Sequence, residues 1–208
     1  MGDDAELLRA WRAGDATAGA ALYDRTFPLV NRFFRCKVDD EIAVDLIQAT
    51  FLAAVESLER FRGASSFRAF LLGIARHELL DHYRSKARDR SVPIDELTLE
   101  DLDPSPSSLL RHGRERRALL SALRSLPLEL QLLVELHYWE GLTGPELSDA
   151  LELPEGTVRS RLRRAREQLR STVERAGEAM PRRELAATSF ESWVESVRPS
   201  DAAGPHAP

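Results

Sequence analysis

The sequence predicts an all-α protein: two small helical domains joined by an acidic, flexible linker. Apolar residues in nearly every long segment recur at spacings of three and four, with no convincing alternating run and no internal repeat. Residues 91–108 (SVPIDELTLEDLDPSPSS) hold Pro93, Pro104 and Pro106 among five acids and no base, the composition of an extended connector. Residues 154–170 (PEGTVRSRLRRAREQLR) set six arginines against two glutamates in a chain whose net charge is -5. Charge segregated in blocks this way implies separate surfaces for separate partners.

The bulk numbers bound the possibilities. A chain of 208 residues with 43% hydrophobic content supports one large or two small folded domains. Cys36 is the single cysteine, so no internal disulfide forms, which suits a reducing compartment. No apolar run approaches the roughly 20 residues that span a bilayer, so no membrane insertion is expected. The opening MGDDAELLRAW is acidic where a secretory signal is basic and then apolar. The expectation is a soluble, cytoplasmic protein.

The first helical block covers about residues 5–90. Within it, residues 41–60 (EIAVDLIQATFLAAVESLER) give the strongest helix, with Val44, Ile47, Phe51, Val55 and Leu58 as one apolar stripe. A second face carries Asp45, Gln48, Ala49, Leu52 and Glu56, a mixture that suits either docking or solvent. FRGASSF at 61–67 then breaks the helix, and a further helix runs from Phe67 to about Arg88. His77, Asp81, Arg84 and Arg88 share one of its faces, with Tyr83 among the basic residues. Basic side chains interleaved with an aromatic suit single-stranded nucleic acid, which needs phosphate neutralisation and a stacking platform. An ordinary salt-bridged helix has the same pattern.

The second block covers about residues 109–178. PLELQLLVELHYWEG at 127–141 reads as a helix with proline in its first turn and glycine at its end. Thr143 and Glu146 have the spacing of a capping box, in which Thr143 accepts from the Glu146 amide and the Glu146 side chain returns the bond. A short helix, PELSDAL, follows, with Leu147, Ala150 and Leu151 inward. After a tight break at Glu152-Leu153, Pro154 opens the arginine-rich helix. Capped helix, short turn and basic second helix make a helix-turn-helix. Val158, Leu162, Ala165 and Leu169 form the buried stripe of that second helix. Six arginines against one glutamate from Thr157 to Arg170 repel one another unless phosphates neutralise them.

Taken together, these segments resemble the extracytoplasmic-function (ECF) group of bacterial sigma factors, small two-domain members of the sigma-70 family. PEGTVRSRLRRAREQL resembles the family's promoter −35 recognition helix, and LPLELQLLVELHYWEGLTGPELSDAL resembles the segment leading into it. DLIQATFLAAVESLERF resembles the region-2 helix that docks on the β′ clamp helices of RNA polymerase. FRGASSFRAFLLGIARHELLDHYR resembles the loop and helix that open and read the −10 element. The resemblance runs over about residues 5–175 in the family's order. It implies a region-2 helical bundle at 1–90, the acidic linker at 91–108, a region-4 helix-turn-helix at 109–178 and a C-terminal extension at 179–208. Ala49 departs from the family's usual acid, His77 from its asparagine, Phe70 from its tryptophan, and Glu152 from the glycine usual in the turn.

The resemblance implies a transcription initiation factor with no covalent chemistry and no cofactor or metal of its own. For −35 duplex DNA it points to Thr157, Arg159, Ser160, Arg163, Arg164 and Arg166. For −10 it points to Arg62, Ser65, Ser66, Phe67, His77, Asp81, Arg84 and Arg88. For core polymerase it points to Asp45, Gln48, Ala49 and Leu52. The implied partners are core RNA polymerase, through its β′ clamp helices and β flap, promoter DNA and an anti-sigma factor. The acidic linker would thread a basic polymerase channel.

Two other readings fit parts of the sequence. A stand-alone helix-turn-helix regulator accounts for the second block and leaves the 41–60 face and the 61–88 helix unexplained. A metal hydrolase is suggested by HELLDH at 77–82, but His77 and His82 lie about 500° apart around a helix and cannot share a metal on one face. In the last segment Leu185, Phe190, Trp193, Val194 and Val197 have amphipathic spacing. They either pack back on the domain or form a regulatory element that masks a binding surface.

Overall fold

The computed structural model describes residues 3–59, 61, 65–88, 98–99, 120–175, 194 and 198. Seven helices order them: α1 (Asp4–Arg12), α2 (Ala16–Arg35), α3 (Asp40–Ser57), α4 (Phe67–Arg88), α5 (Leu128–Tyr138), α6 (Gly144–Leu151) and α7 (Glu155–Arg175). No strand forms among the described residues; an antiparallel bridge pairs Thr98 with Pro127. The chain divides into two compact units, the first holding residues 1–82 with 149–152 and the second residues 83–148 with 153–198.

The first unit is built on α2. Asp15 caps it, its carboxylate accepting from the amides of Thr17 (2.9 Å) and Ala18 (3.3 Å). At the other end the Lys37 ammonium, 1% exposed, donates to the Phe33 carbonyl (2.7 Å) and lies 4.2 Å from the Phe33 ring centroid. A cation at the C-terminus answers both the orphan carbonyls and the negative end of the helix dipole. α1 packs against α2 where Gly19 meets the Trp11 indole. A Cβ on Gly19 would stand 2.6 Å from Trp11 Nε1, so only glycine permits this approach. Arg12 then ties α1 to the end of α3, donating to the carbonyls of Leu58 (2.8 Å) and Phe61.

The buried side of α3 is Ala43, Leu46, Ile47, Thr50 and Ala54, with Leu58 just beyond the helix. This corrects the expected stripe. Val44 and Val55 are 46% and 52% exposed, while Ile47 and Leu58 are buried as expected and Phe51 is half-buried. α3 is apolar on two sides, so its periodicity admits more than one inward face. Small residues at 43, 50 and 54 let α3 lie close to its neighbours, and the larger valines turn outward.

In the second unit Ala122, Leu123, Leu126, Leu130, Val134, Trp139, Ala165 and Leu169 form one apolar cluster, joined by Val194. α5 is buried almost all round, from Leu128 through Leu136. Gly141 then takes a φ of +69°, the left-handed conformation that lets the chain leave the helix and enter α6.

Within the expected connector at 91–108 the described residues are Thr98 and Leu99. Leu99 is fully buried and its carbonyl accepts from Arg124 Nη2 at 3.2 Å. Together with the Thr98–Pro127 bridge, this ties Thr98 and Leu99 to the second unit. The capping box differs from its expected form in one half. Glu146 Oε2 accepts from the Thr143 amide (3.0 Å) as expected, but the Thr143 hydroxyl donates to the same oxygen (2.8 Å).

Candidate nucleic-acid interface and docking face

α7 divides cleanly by burial. Val158, Ala165 and Leu169 are buried and Leu162 is half-buried, the stripe expected from spacing. On the opposite side Arg159, Ser160, Arg163 and Arg164 are exposed, with Glu167 and Arg170 continuing the row. At 100° per residue these positions fill one contiguous arc of about 140°. Arg163 Nε lies 3.8 Å from Glu167, an exposed i, i+4 pair of small energetic weight that leaves the guanidinium available. Ser160 Oγ donates to the Thr157 carbonyl (2.9 Å), and Thr157 itself is half-buried.

Two arginines leave the row. Arg166, expected among the DNA contacts, is half-buried, donates through Nε to the Tyr138 hydroxyl and lies with its guanidinium carbon 5.5 Å from that ring's centroid. Arg161 lies 3.8 Å from Glu129 of α5. Both flank the exposed arc and fasten α7 to α5. In the turn before α7, Glu152, which stands where the family's glycine is usual, adopts a φ of +55°. The three-residue break between α6 and α7 (Glu152, Leu153 and Pro154) uses a left-handed residue, which costs a side-chain-bearing one about 1–2 kcal/mol.

On α4, His77, Asp81 and Arg84 are exposed on one face, as their spacing requires. Arg88 ends the helix, and its side chain lies outside the described residues, as does Arg62 altogether. Ser66 is exposed and caps α4, its hydroxyl accepting from the Ala69 amide at 3.3 Å; Ser65 is half-buried. Phe67 corrects its assignment. It is 6% exposed, with ring centroids 6.4 Å from Trp11, 6.4 Å from Phe61 and 6.1 Å from Phe70, so it belongs to an aromatic core. Tyr83, expected as a stacking platform, is 2% exposed. Both rings satisfy the hydrophobic effect inside the protein, where no base can reach them. Beside the polar face, the Glu78 carboxyl is raised above its usual range, first by burial, then by the Asp81 charge, with His77 acting the other way.

On α3, Asp45 and Gln48 are exposed, Ala49 is half-buried and Leu52 is 61% exposed. The structure adds Val44 and Val55 to this outward face. Three large apolar side chains, Val44, Leu52 and Val55, are thus exposed around two polar ones on one helix face. The sequence signal for the two valines was present, but their spacing assigned them to the core.

Among the described residues no cluster of His, Cys, Asp and Glu is placed to hold a metal ion, and no helix is long and apolar enough to cross a membrane.

Two stretches of the chain match known family descriptions. The family description "Sigma-70 region 2" matches residues 22–89, and "Sigma-70, region 4" matches residues 116–169, together more than half of the chain. The chain is 26% identical over 182 residues to the ECF RNA polymerase sigma-E factor of Haemophilus influenzae, covering 82% of this chain and 95% of that protein. To the ECF RNA polymerase sigma-E factor of Escherichia coli K12 it is 29% identical over 139 residues, covering 62% and 73%. Its fold is similar to that of the sigma factor RpoE of Bartonella quintana, solved with the anti-sigma factor NepR, at a TM-score of 0.53 and 21% identity over 73% of this chain and 96% of that one. It is also similar to CnrH, solved with the cytosolic domain of CnrY, at a TM-score of 0.55 and 23% identity over 85% and 99%. With both regions matched in order, this chain belongs to the ECF group of the sigma-70 family of transcription initiation factors.

Proposed function

We propose that the chain binds core RNA polymerase through the outward face of α3 and directs it to promoters whose −35 element is read by α7 and whose −10 element is read by α4 and the loop before it. The observation that carries this reading is the exposed arc of Arg159, Ser160, Arg163 and Arg164 on a helix whose other side is core. A helix of this diameter fits the major groove, where arginine binds guanine O6 and N7 bidentately for about 1–3 kcal/mol of discrimination per pair. The remaining cations bind phosphate, which adds salt-dependent affinity without sequence information.

At −10, the exposed His77, Asp81 and Arg84 offer polar contacts to an unstacked non-template base. Extruding that base costs a few kcal/mol. With Phe67 and Tyr83 buried, hydrogen bonds and phosphate contacts offset this cost in place of aromatic stacking on either ring. The half-buried Phe70 is the aromatic of the α4 start that retains some exposure. The RpoE relative described above was solved with an anti-sigma factor, and a partner of that kind is proposed here too, with the protein acting in the cytoplasm.

The test is in vitro transcription with purified core polymerase and fragmented genomic DNA, mapping starts with and without the protein. New starts sharing −35 and −10 elements are expected. Absence of new starts together with absence of co-elution with core polymerase would sink the reading and leave a stand-alone DNA binder.

A further inference from the structure

Val194 lies 25 residues beyond the end of the region-4 match, yet it is fully buried in the same cluster as Ala165 and Leu169 of α7 and Val134 of α5. Its backbone carbonyl accepts from the Trp139 indole Nε1 at 2.8 Å, in a bond buried from solvent. Four residues later Arg198 Nη2 stands 3.7 Å from the carboxylate of Glu140, whose side chain is 5% exposed. The C-terminal segment therefore supplies an apolar plug, an acceptor for a buried donor, and a cation for a buried acid.

These contacts converge on the elements that set the position of α7. Trp139 and Glu140 directly follow Tyr138, the residue that holds Arg166. Losing the segment would leave a buried indole N–H without its acceptor, a buried carboxylate without this cation, and a void beside Ala165 and Leu169. Each of these carries a desolvation or cavity penalty that the domain relieves by shifting its helices.

We propose that the segment around Val194 and Arg198 is a strap that completes the region-4 domain and positions α7 for −35 reading. The proposal rests on the initiation-factor reading for its consequence, though the strap itself is a property of the chain alone. Trp139, Val194 and Arg198 are positioning residues in this scheme.

The test compares initiation by holoenzyme at a promoter with its −35 element intact and at one with that element scrambled. In the chain lacking residues 184–208, the ratio between the two should fall about tenfold, the effect of orphaning a buried donor and opening a void. A peptide of residues 184–208 added in trans should restore it, and the same peptide carrying Val194→Asp should not. Trp139→Phe, which keeps an aromatic ring in the core and removes the donor, should lower the ratio severalfold while circular dichroism shows the helices retained. An unchanged ratio in both the shortened chain and Trp139→Phe would overturn the proposal. If wild-type holoenzyme fails to initiate at any promoter, the initiation-factor reading falls, and the strap is decided on the chain alone. Slow exchange of the Trp139 indole proton that becomes fast on removing residues 184–208 supports it, and fast exchange in the wild type overturns it.

Discussion

Arg166 of α7 donates to the hydroxyl of Tyr138 at the end of α5 and thereby leaves the row of exposed arginines to which its spacing assigns it. One arginine fastens the recognition helix to its support while its neighbours at 159, 163 and 164 face solvent. Position on the helix alone does not separate these roles; the partner across the domain does.

The two roles predict different phenotypes. Arg163→Ala and Arg164→Ala should each reduce discrimination between intact and altered −35 elements by about 1–3 kcal/mol, with little change in melting temperature. Arg166→Ala should instead lower the stability of the domain by about 1 kcal/mol through the lost hydrogen bond and ring contact. Thermal melts and competition binding on the same variants separate the outcomes, and a melt unaffected by Arg166→Ala would place Arg166 with the DNA contacts.

The turn before α7 offers a gain. Glu152 holds φ at +55°, where glycine is at ease and a side chain is strained. Glu152→Gly should therefore be neutral to stabilising, by up to about 1 kcal/mol, once glycine's larger loss of chain entropy is set against the relief. Denaturant unfolding at constant m-value measures it. A clear loss of stability would show that the turn does not strain the backbone.

The outward face of α3 predicts binding defects without folding defects. Leu52→Asp and Val55→Asp should each weaken association with core polymerase about tenfold or more, because truncating or charging a central apolar contact removes a large share of interface energy. Their melting temperatures should stay close to wild type, since both side chains are more than half exposed. If Val55→Asp unfolds the domain, the expectation from periodicity, which set Val55 in the core, is right after all.

Glu78 gives a pH dependence of definite sign. Its carboxyl is raised in the folded protein, mainly by burial, so the folded state holds the proton more tightly than the unfolded chain. The group therefore costs stability once the pH exceeds its unfolded value, and the cost is complete above the folded value. Glu78→Gln should stabilise the protein at neutral pH and make no difference well below the usual carboxylate range. Melts at pH 3.5 and pH 7, spanning the usual glutamate value of about 4.3, check this. Equal effects at both would assign the change to packing instead.

The all-α class, the two blocks and the helix-turn-helix were legible because each rests on local patterning: 3.6-residue periodicity, proline and glycine at helix ends, and charge crowded on one segment. α7 gave up its buried stripe at once, since its apolar residues occupy a single side. α3 did not, because Val44 and Val55 extend an apolar surface around two sides of the helix, and only the approach of α2 decides which is covered. The aromatic rings at 67 and 83 were read as nucleic-acid platforms for the same reason. A ring beside arginines has the same sequence whether it faces a base or the core.

What the sequence determined by itself is an inventory: the helices of residues 41–60 and 67–88, the capped helix, turn and basic second helix of the helix-turn-helix, an acidic connector and a mixed polar-apolar face on the 41–60 helix. These follow from interactions a few residues long, which spacing reports directly. Tertiary structure alone decided which of the arginines is fastened to Tyr138, where Leu99 anchors the connector to Arg124, and that Val194 closes the core beside Trp139. Each of these joins residues 25 to 55 positions apart. No local rule reaches that far, because the free energy that selects them is the burial of apolar surface and the pairing of buried polar groups once the helices have met.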